Sequence, residues 1–256
     1  MDLYAEIAAL AAEGRAFVVA TVIDSAGSTP QKPGSKMVVL PDGTVRGTVG
    51  GGAIELQIVT AAKELMQGPD TSRLVETHLT HDLGMCCGGK MKVFLERHGE
   101  AARLWVFGAG HVGREVALLA KRVGFRVTVV DARPEWASKD RFPDVDALVL
   151  RSPDDVAREL SGGPADYFCI TTHDHPLDQA TLEALLRKPA AYIGVIGSHR
   201  KAERFKMRLK AAGFTEQELA RVRSPMGVPI QALTAEEIAV SIVGELIQVR
   251  RREVPR

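Results

Sequence analysis

The sequence is short of most features that would name a function at once, and each shortage excludes something. Only three cysteines occur in 256 residues, Cys86, Cys87 and Cys169. That is too few, and too poorly spaced, for a disulfide framework, and it suits a reducing compartment. No apolar run approaches the roughly 18–20 residues that a membrane helix needs. Neither charge sign is in excess: 33 Lys and Arg against 32 Asp and Glu leave a formal +1, so no global field attracts nucleic acid or an anionic membrane. The opening MDLYAEIAALAAEG carries Asp2 and Glu6 and no basic cluster before an apolar stretch, so a secretory leader is not expected. A cytoplasmic location is expected, with neither nucleic acid nor membrane as partner. What remains is ordinary: 45% hydrophobic and 25% charged residues exclude disorder, collagen and a coiled coil. The length allows one large domain or two modest ones at roughly 150 residues each.

Two stretches of chain follow different rules. Residues 1–100 predict an α+β module: an amphipathic helix over Leu3–Ala12, a strand over Phe17–Ile23, and a long polar loop to Lys36. Strands Met37–Leu40 and Val45–Val49 flank PDGT as a hairpin, and a helix runs from about Ala53 to Met66. Strands Leu74–Leu79 and Met91–Glu96 close this half. Residues 101–213 alternate short apolar strands with helices, which predicts a parallel sheet covered on both faces. Residues 214–256 read as a helical tail. Its stripe Ile238, Ile242, Leu246 and Val249 is expected to pack back on the N-terminal half, or else to join a homodimer. The expected fold class is therefore α/β: an N-terminal α+β module, a second parallel-sheet domain and a C-terminal helical tail.

In that second domain Gly108, Gly110 and Gly113 follow an apolar strand and open a helix, and Asp131 ends the next strand. This is the dinucleotide-binding context of a Rossmann-like sheet, with Asp131 placed to accept a ribose 2′-OH and repel a 2′-phosphate. The same glycines could instead serve only to pack strand on helix. His111 within the turn is either a donor to ligand phosphate or a solvated first-turn residue. His173 and His175, at the end of a later strand, are candidates for ligand contact, for a metal aided by Asp174 or Asp178, or for capping of the next helix.

Three glycine-bearing loops mark the first half: Gly27–Lys36, Gly47–Glu55 and Asp82–Lys90. Gly50, Gly51 and Gly52 lead into a helix and can present amides to an anion, while Glu55 either caps that helix or accepts a ligand N–H. Cys86 and Cys87 stand beside Gly88, Gly89 and Lys90, where amide donors and a cation lower a thiol's pKa and favour nucleophilic or soft-metal chemistry. The alternative is a small buried hydrophobe, the expected fate of Cys169 in YFCIT.

Taken in order, GSTPQKPGSKM, GTVGGGAIE, LGMCCGG, VFGAGHVG, TTHDHPLD, YIGVIGSHRK and PMGVPIQALTAEEIAVSIVGEL resemble the XdhC/CoxI family of accessory proteins for molybdenum hydroxylases. The resemblance covers nearly the whole chain. It implies binding and protection of molybdenum cofactor (molybdopterin or its dinucleotide), support for replacing one Mo oxygen ligand by sulfur, and delivery to xanthine dehydrogenase or a relative. It also implies a cysteine desulfurase as sulfur source. The family's characteristic cysteine, directly before Gly-Gly, corresponds to Cys87, the expected Mo ligand or sulfur relay; Cys86 holds a more variable place. On this reading Lys36, Lys90 and His111 balance ligand charge. Two departures stand in the tail, where the family pattern commonly has glycine and proline and this chain has Gln231 and Ala235. The main rival is an NAD-dependent oxidoreductase built on the Rossmann-like half, with His111 or His173 as acid or base; NAD(P) is the cofactor considered besides molybdenum cofactor.

Overall fold

A computed structural model describes residues 2–68, 70–79 and 89–252. The chain divides into two compact units, one within residues 1–101 and one within residues 102–253.

The first unit is an antiparallel sheet of five strands in the order β3-β2-β1-β5-β4. These are β1 (Phe17–Ala26), β2 (Lys36–Val39), β3 (Val45–Gly47), β4 (Ser72–His78) and β5 (Lys90–His98). Alternation along β1 sorts its side chains between two cores. Val18, Ala20 and Val22 join Ile54, Ile58, Ala62 and Leu65 of α2 (Gly52–Gln67), whereas Phe17 and Val19 join Leu10 of α1 (Leu3–Ala12). The PDGT hairpin forms as expected, and Gly43 adopts φ 89°, a conformation that costs glycine little.

The second unit is a parallel sheet of six strands in the order β11-β10-β9-β6-β7-β8. Its strands are β6 (Arg103–Phe107), β7 (Arg126–Val130), β8 (Ala147–Val149), β9 (Gly163–Ile170), β10 (Ala190–Val195) and β11 (Val222–Arg223). Counted within the unit this is the doubly wound order, with a topological switch between β6 and β9. Both faces are apolar, so helices cover both. On one side α3 (His111–Arg122) and α8 (Ala235–Arg252) bury Val116, Ala120, Ile242 and Leu246 against Val106, Val127 and Cys169. On the other side lie α4 (Pro153–Glu159), α5 (His175–Leu185), α6 (His199–Ala211) and α7 (Glu216–Ala220), over Phe107, Phe168 and Ile193.

The tail differs from expectation. The stripe of Ile238, Ile242, Leu246 and Val249 is covered within the second unit, beside the core that contains α3 and the parallel strands. Periodicity defines an apolar face but not its partner, and α3 offers the complementary one. Among these helices α3 begins at His111 and α5 at His175. In α5 the Asp174 side chain accepts from the Leu177 amide and Pro176 lies in the first turn, so the helix opens as soon as it is capped.

Candidate functional site

In the first unit, antiparallel pairing gathers one set of loop ends. β1 ends at Ala26, opposite Lys90 at the start of β5, and β4 ends at His78, opposite the same Lys90. β3 ends at Gly47, opposite Met37 near the start of β2. All three glycine-bearing loops therefore leave the same end of the sheet. Close approach confirms the gathering: a Cβ on Gly50 would lie 2.7 Å from Pro30 Cγ, and one on Gly89 would lie 2.5 Å from the Ser28 carbonyl oxygen and 2.6 Å from that of Ala26. The Leu79 amide donates to the Gly89 carbonyl at 3.0 Å. Cys86, Cys87 and Gly88 lie outside the described residues; their flanks, Leu79 and Gly89, are fixed at this end of the sheet. Lys90 is exposed here.

Two of the expected ligand contacts have internal partners. Glu55 Oε1 accepts from the Thr48 hydroxyl and from the Val49 amide (3.3 Å), and the Gly50 amide donates to Thr48 Oγ1 at 3.1 Å. Glu55 thus fastens the turn that precedes α2. Gly51 and Gly52, at φ 75° and 59°, have open space where a side chain would stand. Lys36 Nζ donates to Thr21 Oγ1 at 3.0 Å, several residues back along β1.

In the second unit the three glycines divide their roles. A Cβ on Gly108 would lie 2.4 Å from the Thr171 carbonyl oxygen, and one on Gly113 would lie 2.0 Å from the Gly108 carbonyl oxygen. Those two exist for close packing at the β6–β9 switch. Gly110 has nothing within 4 Å, which is the condition for a ligand to approach the backbone.

Asp131 does not stand open to a ribose. It is 3% exposed. Oδ2 accepts from the Ala109 amide (2.8 Å) and Arg133 Nη2 (2.7 Å), while Oδ1 accepts from the Arg133 amide (3.0 Å) and Arg133 Nε (2.9 Å). A carboxylate offers about four lone-pair sites, and all are taken. Burial pushes this carboxyl upward, but the bonds from Arg133 and Ala109 outweigh it and hold the pKa below the usual carboxylate range; Arg133 is raised in turn. Arg133 does not stand out in the sequence, although its place two residues after the strand-end acid is a readable signal.

His111 is exposed in the first turn of α3, its ring edge-on to Trp136 at 5.4 Å. The later histidines are not gathered as a chelate. His173 is exposed, and His175, with its side chain 74% exposed, lies 3.8 Å from Asp178. Among the described residues no three His, Cys, Asp or Glu side chains are placed to hold a metal. Capping and buried pairing engage the acids of this segment, Asp174 and Asp178. Fully buried Asp178 accepts from the Thr172 amide (3.0 Å) and hydroxyl (2.7 Å) and from Lys201 Nζ (2.6 Å), which also donates to the Ile196 carbonyl (2.9 Å). Cys169 is buried as expected, and burial pushes its thiol up.

Residues 104–246 match the family model for the XdhC Rossmann domain, and residues 10–77 match that for the XdhC and CoxI family. The chain belongs to the XdhC and CoxI family. Among curated relatives of this XdhC-type chain is an uncharacterized protein, YqeB, of Escherichia coli K12. It is 33% identical over 255 residues, covering 98% of this chain and 46% of that protein. A Bacillus subtilis protein described as a probable xanthine dehydrogenase subunit is 35% identical over 184 residues, covering 72% of this chain and 52% of that one. This chain therefore spans about half the length of both. The molybdenum cofactor insertion chaperone PaoD of Escherichia coli K12 is 25% identical, covering 93% and 84% respectively. A crystal structure described as a xanthine dehydrogenase from Bacillus halodurans superposes with a TM-score of 0.56 at 26% identity, over 98% of this chain and 96% of that one. The XdhC architecture thus accounts for the α/β fold of both units. Among the described residues no helix is long and apolar enough to cross a membrane.

Proposed function

We propose that this chain is an accessory protein that binds molybdenum cofactor as cargo, supports its sulfuration and delivers it to a xanthine dehydrogenase-type hydroxylase, with a cysteine desulfurase supplying sulfur. The observation that carries the proposal is the gathering of three glycine-bearing loops at one end of the antiparallel sheet, with Gly89 seated on the 26–28 backbone. Family membership and the relative named as an insertion chaperone support it.

The residues present suit such a cargo. Gly51 and Gly52 leave backbone exposed at the start of α2, where amides favour an anionic group such as a phosphate. Lys90 supplies a cation at the same end. Cys87 supplies the soft donor, as transient Mo ligand or as carrier of sulfane sulfur, since thiolate is the ligand class that a dithiolene-bound metal accepts. Lys36 is assigned no contact, because its ammonium is on Thr21. The NAD-dependent oxidoreductase reading fares less well, because it asks Asp131 to accept ribose hydroxyls with no acceptor site to spare.

The test is anaerobic titration with molybdenum cofactor, followed by absorbance, and reconstitution of a cofactor-free hydroxylase by wild type, Cys87→Ala and Cys86→Ala. Cys87→Ala is expected to lose sulfuration and weaken binding at least tenfold, with Cys86→Ala close to wild type. Full affinity and full sulfuration with Cys87→Ala would refute the assignment.

A further inference from the structure

The turn after β7 is built as a fixed cationic cluster. Arg133 uses two of its five guanidinium N–H donors on Asp131, which leaves three on a side chain 27% exposed. Its guanidinium lies 5.0 Å from the Trp136 ring centre, and that of Arg141 lies 4.5 Å from the same ring. His111 meets this indole edge-on, so two guanidinium groups and an imidazole surround one aromatic ring directly beside the Gly108–Gly113 turn. Three acids are near. Asp131 is consumed by Arg133 and Ala109, while Glu135, near Arg133, and Glu236, near His111, are exposed.

In a doubly wound sheet the group at the end of this strand reads the ribose beside the base. A free acid selects hydroxyls, and a nearby arginine accommodates a 2′-phosphate. Here the acid orients the arginine instead of facing the ligand. We infer that the crevice at the β6–β9 switch binds a nucleotide that carries a phosphate on the ribose next to its base, with Arg133 as the specificity-determining residue and Arg141 in support. This reverses the preference that Asp131 alone suggests. It goes beyond the cargo reading and does not rest on it, since Cys87 has no part in it.

Calorimetric titration of the full chain with adenosine 2′,5′-bisphosphate and with ADP separates phosphate position from phosphate number, and NADP+ against NAD+ repeats the comparison on whole dinucleotides. The 2′-phosphorylated member of each pair is expected to bind at least tenfold tighter. Arg133→Ala should bring the ratio to within twofold of unity. Arg133→Lys, which keeps the charge without the fork, should give an intermediate ratio and guards against misfolding of the alanine variant. Equal binding within both pairs, preference for NAD+, or no binding of any of the four would overturn the inference, as would an unchanged ratio in folded Arg133→Lys. Cys87→Ala should leave these ratios unchanged whatever becomes of the cargo proposal.

Discussion

The buried pair of Asp178 and Lys201 offers a direct measurement of what holds the rim of the parallel sheet. Oδ2 and Nζ are 2.6 Å apart, with side chains 1% and 12% exposed, and Thr172 donates twice to the other carboxylate oxygen. Replacing Asp178 by Asn keeps the shape and an acceptor for Thr172 but leaves the ammonium of Lys201 buried opposite a neutral amide. Removing one partner of such a pair costs about 3–5 kcal/mol. With an m-value of about 2 kcal/mol per molar urea, the unfolding midpoint should fall by roughly 2 M. The chain has two tryptophans, Trp105 and Trp136, both in the second unit, so selectively excited tryptophan fluorescence follows that unit alone. Lys201→Met should cost a similar amount. The double variant, which removes both charges, should recover about a quarter of the summed loss, a coupling of about 2 kcal/mol. A midpoint shift below about 0.3 M for Asp178→Asn, or strictly additive single effects, would show that the pair is not the buried, mutually dependent contact described.

The glycine turn and the tail supply two further expectations. Gly110→Ala should leave the unfolding free energy of the second unit within about 1 kcal/mol of wild type while weakening nucleotide affinity severalfold, whereas Gly113→Ala should unfold the switch region, because its Cβ would meet the Gly108 carbonyl at 2.0 Å. Equal stability of the two variants would contradict the division of roles. Gln231 is the non-glycine residue at positive φ among the described residues, at 58°. Gln231→Gly should therefore raise stability by about 0.5–1 kcal/mol, the left-handed strain relieved less the added freedom of the unfolded chain. Gln231→Val should lower it, and thermal melts of the three proteins decide the order.

Both sheets are legible in alternation, turn chemistry and strand spacing, because these signals are local, except for β11: Val222–Arg223, within the stretch read as a helical tail, pair in parallel with β10, and a two-residue strand is too short to show a period. The glycine triplet also predicts its surroundings, since a tight turn between strand and helix requires those residues. What escapes a reading of the residues is pairing over distance or between unlike groups. Nothing in DARPEW states that Asp131 will be saturated by the arginine two residues on, because an i to i+2 contact depends on how the chain turns after β7. The His173 to Asp178 segment is ambiguous for a related reason: the same residue types serve as ligands or caps, and only the position of Lys201, on another helix, decides the fate of Asp178. The tail helix shows its apolar face but not which surface receives it.

The bond from Leu79 to Gly89 and the pairing of His78 and Ala26 with Lys90 have a consequence for how this family can change. Strand register is locked on both sides of the intervening stretch, so the alignment of the scaffold is set by its flanks. A longer connection between those flanks would cost only about 0.6 kcal/mol per doubling to close, so a change of length there need not disturb the sheet. The constraint falls instead on Gly89, the threshold over which any such insert must pass.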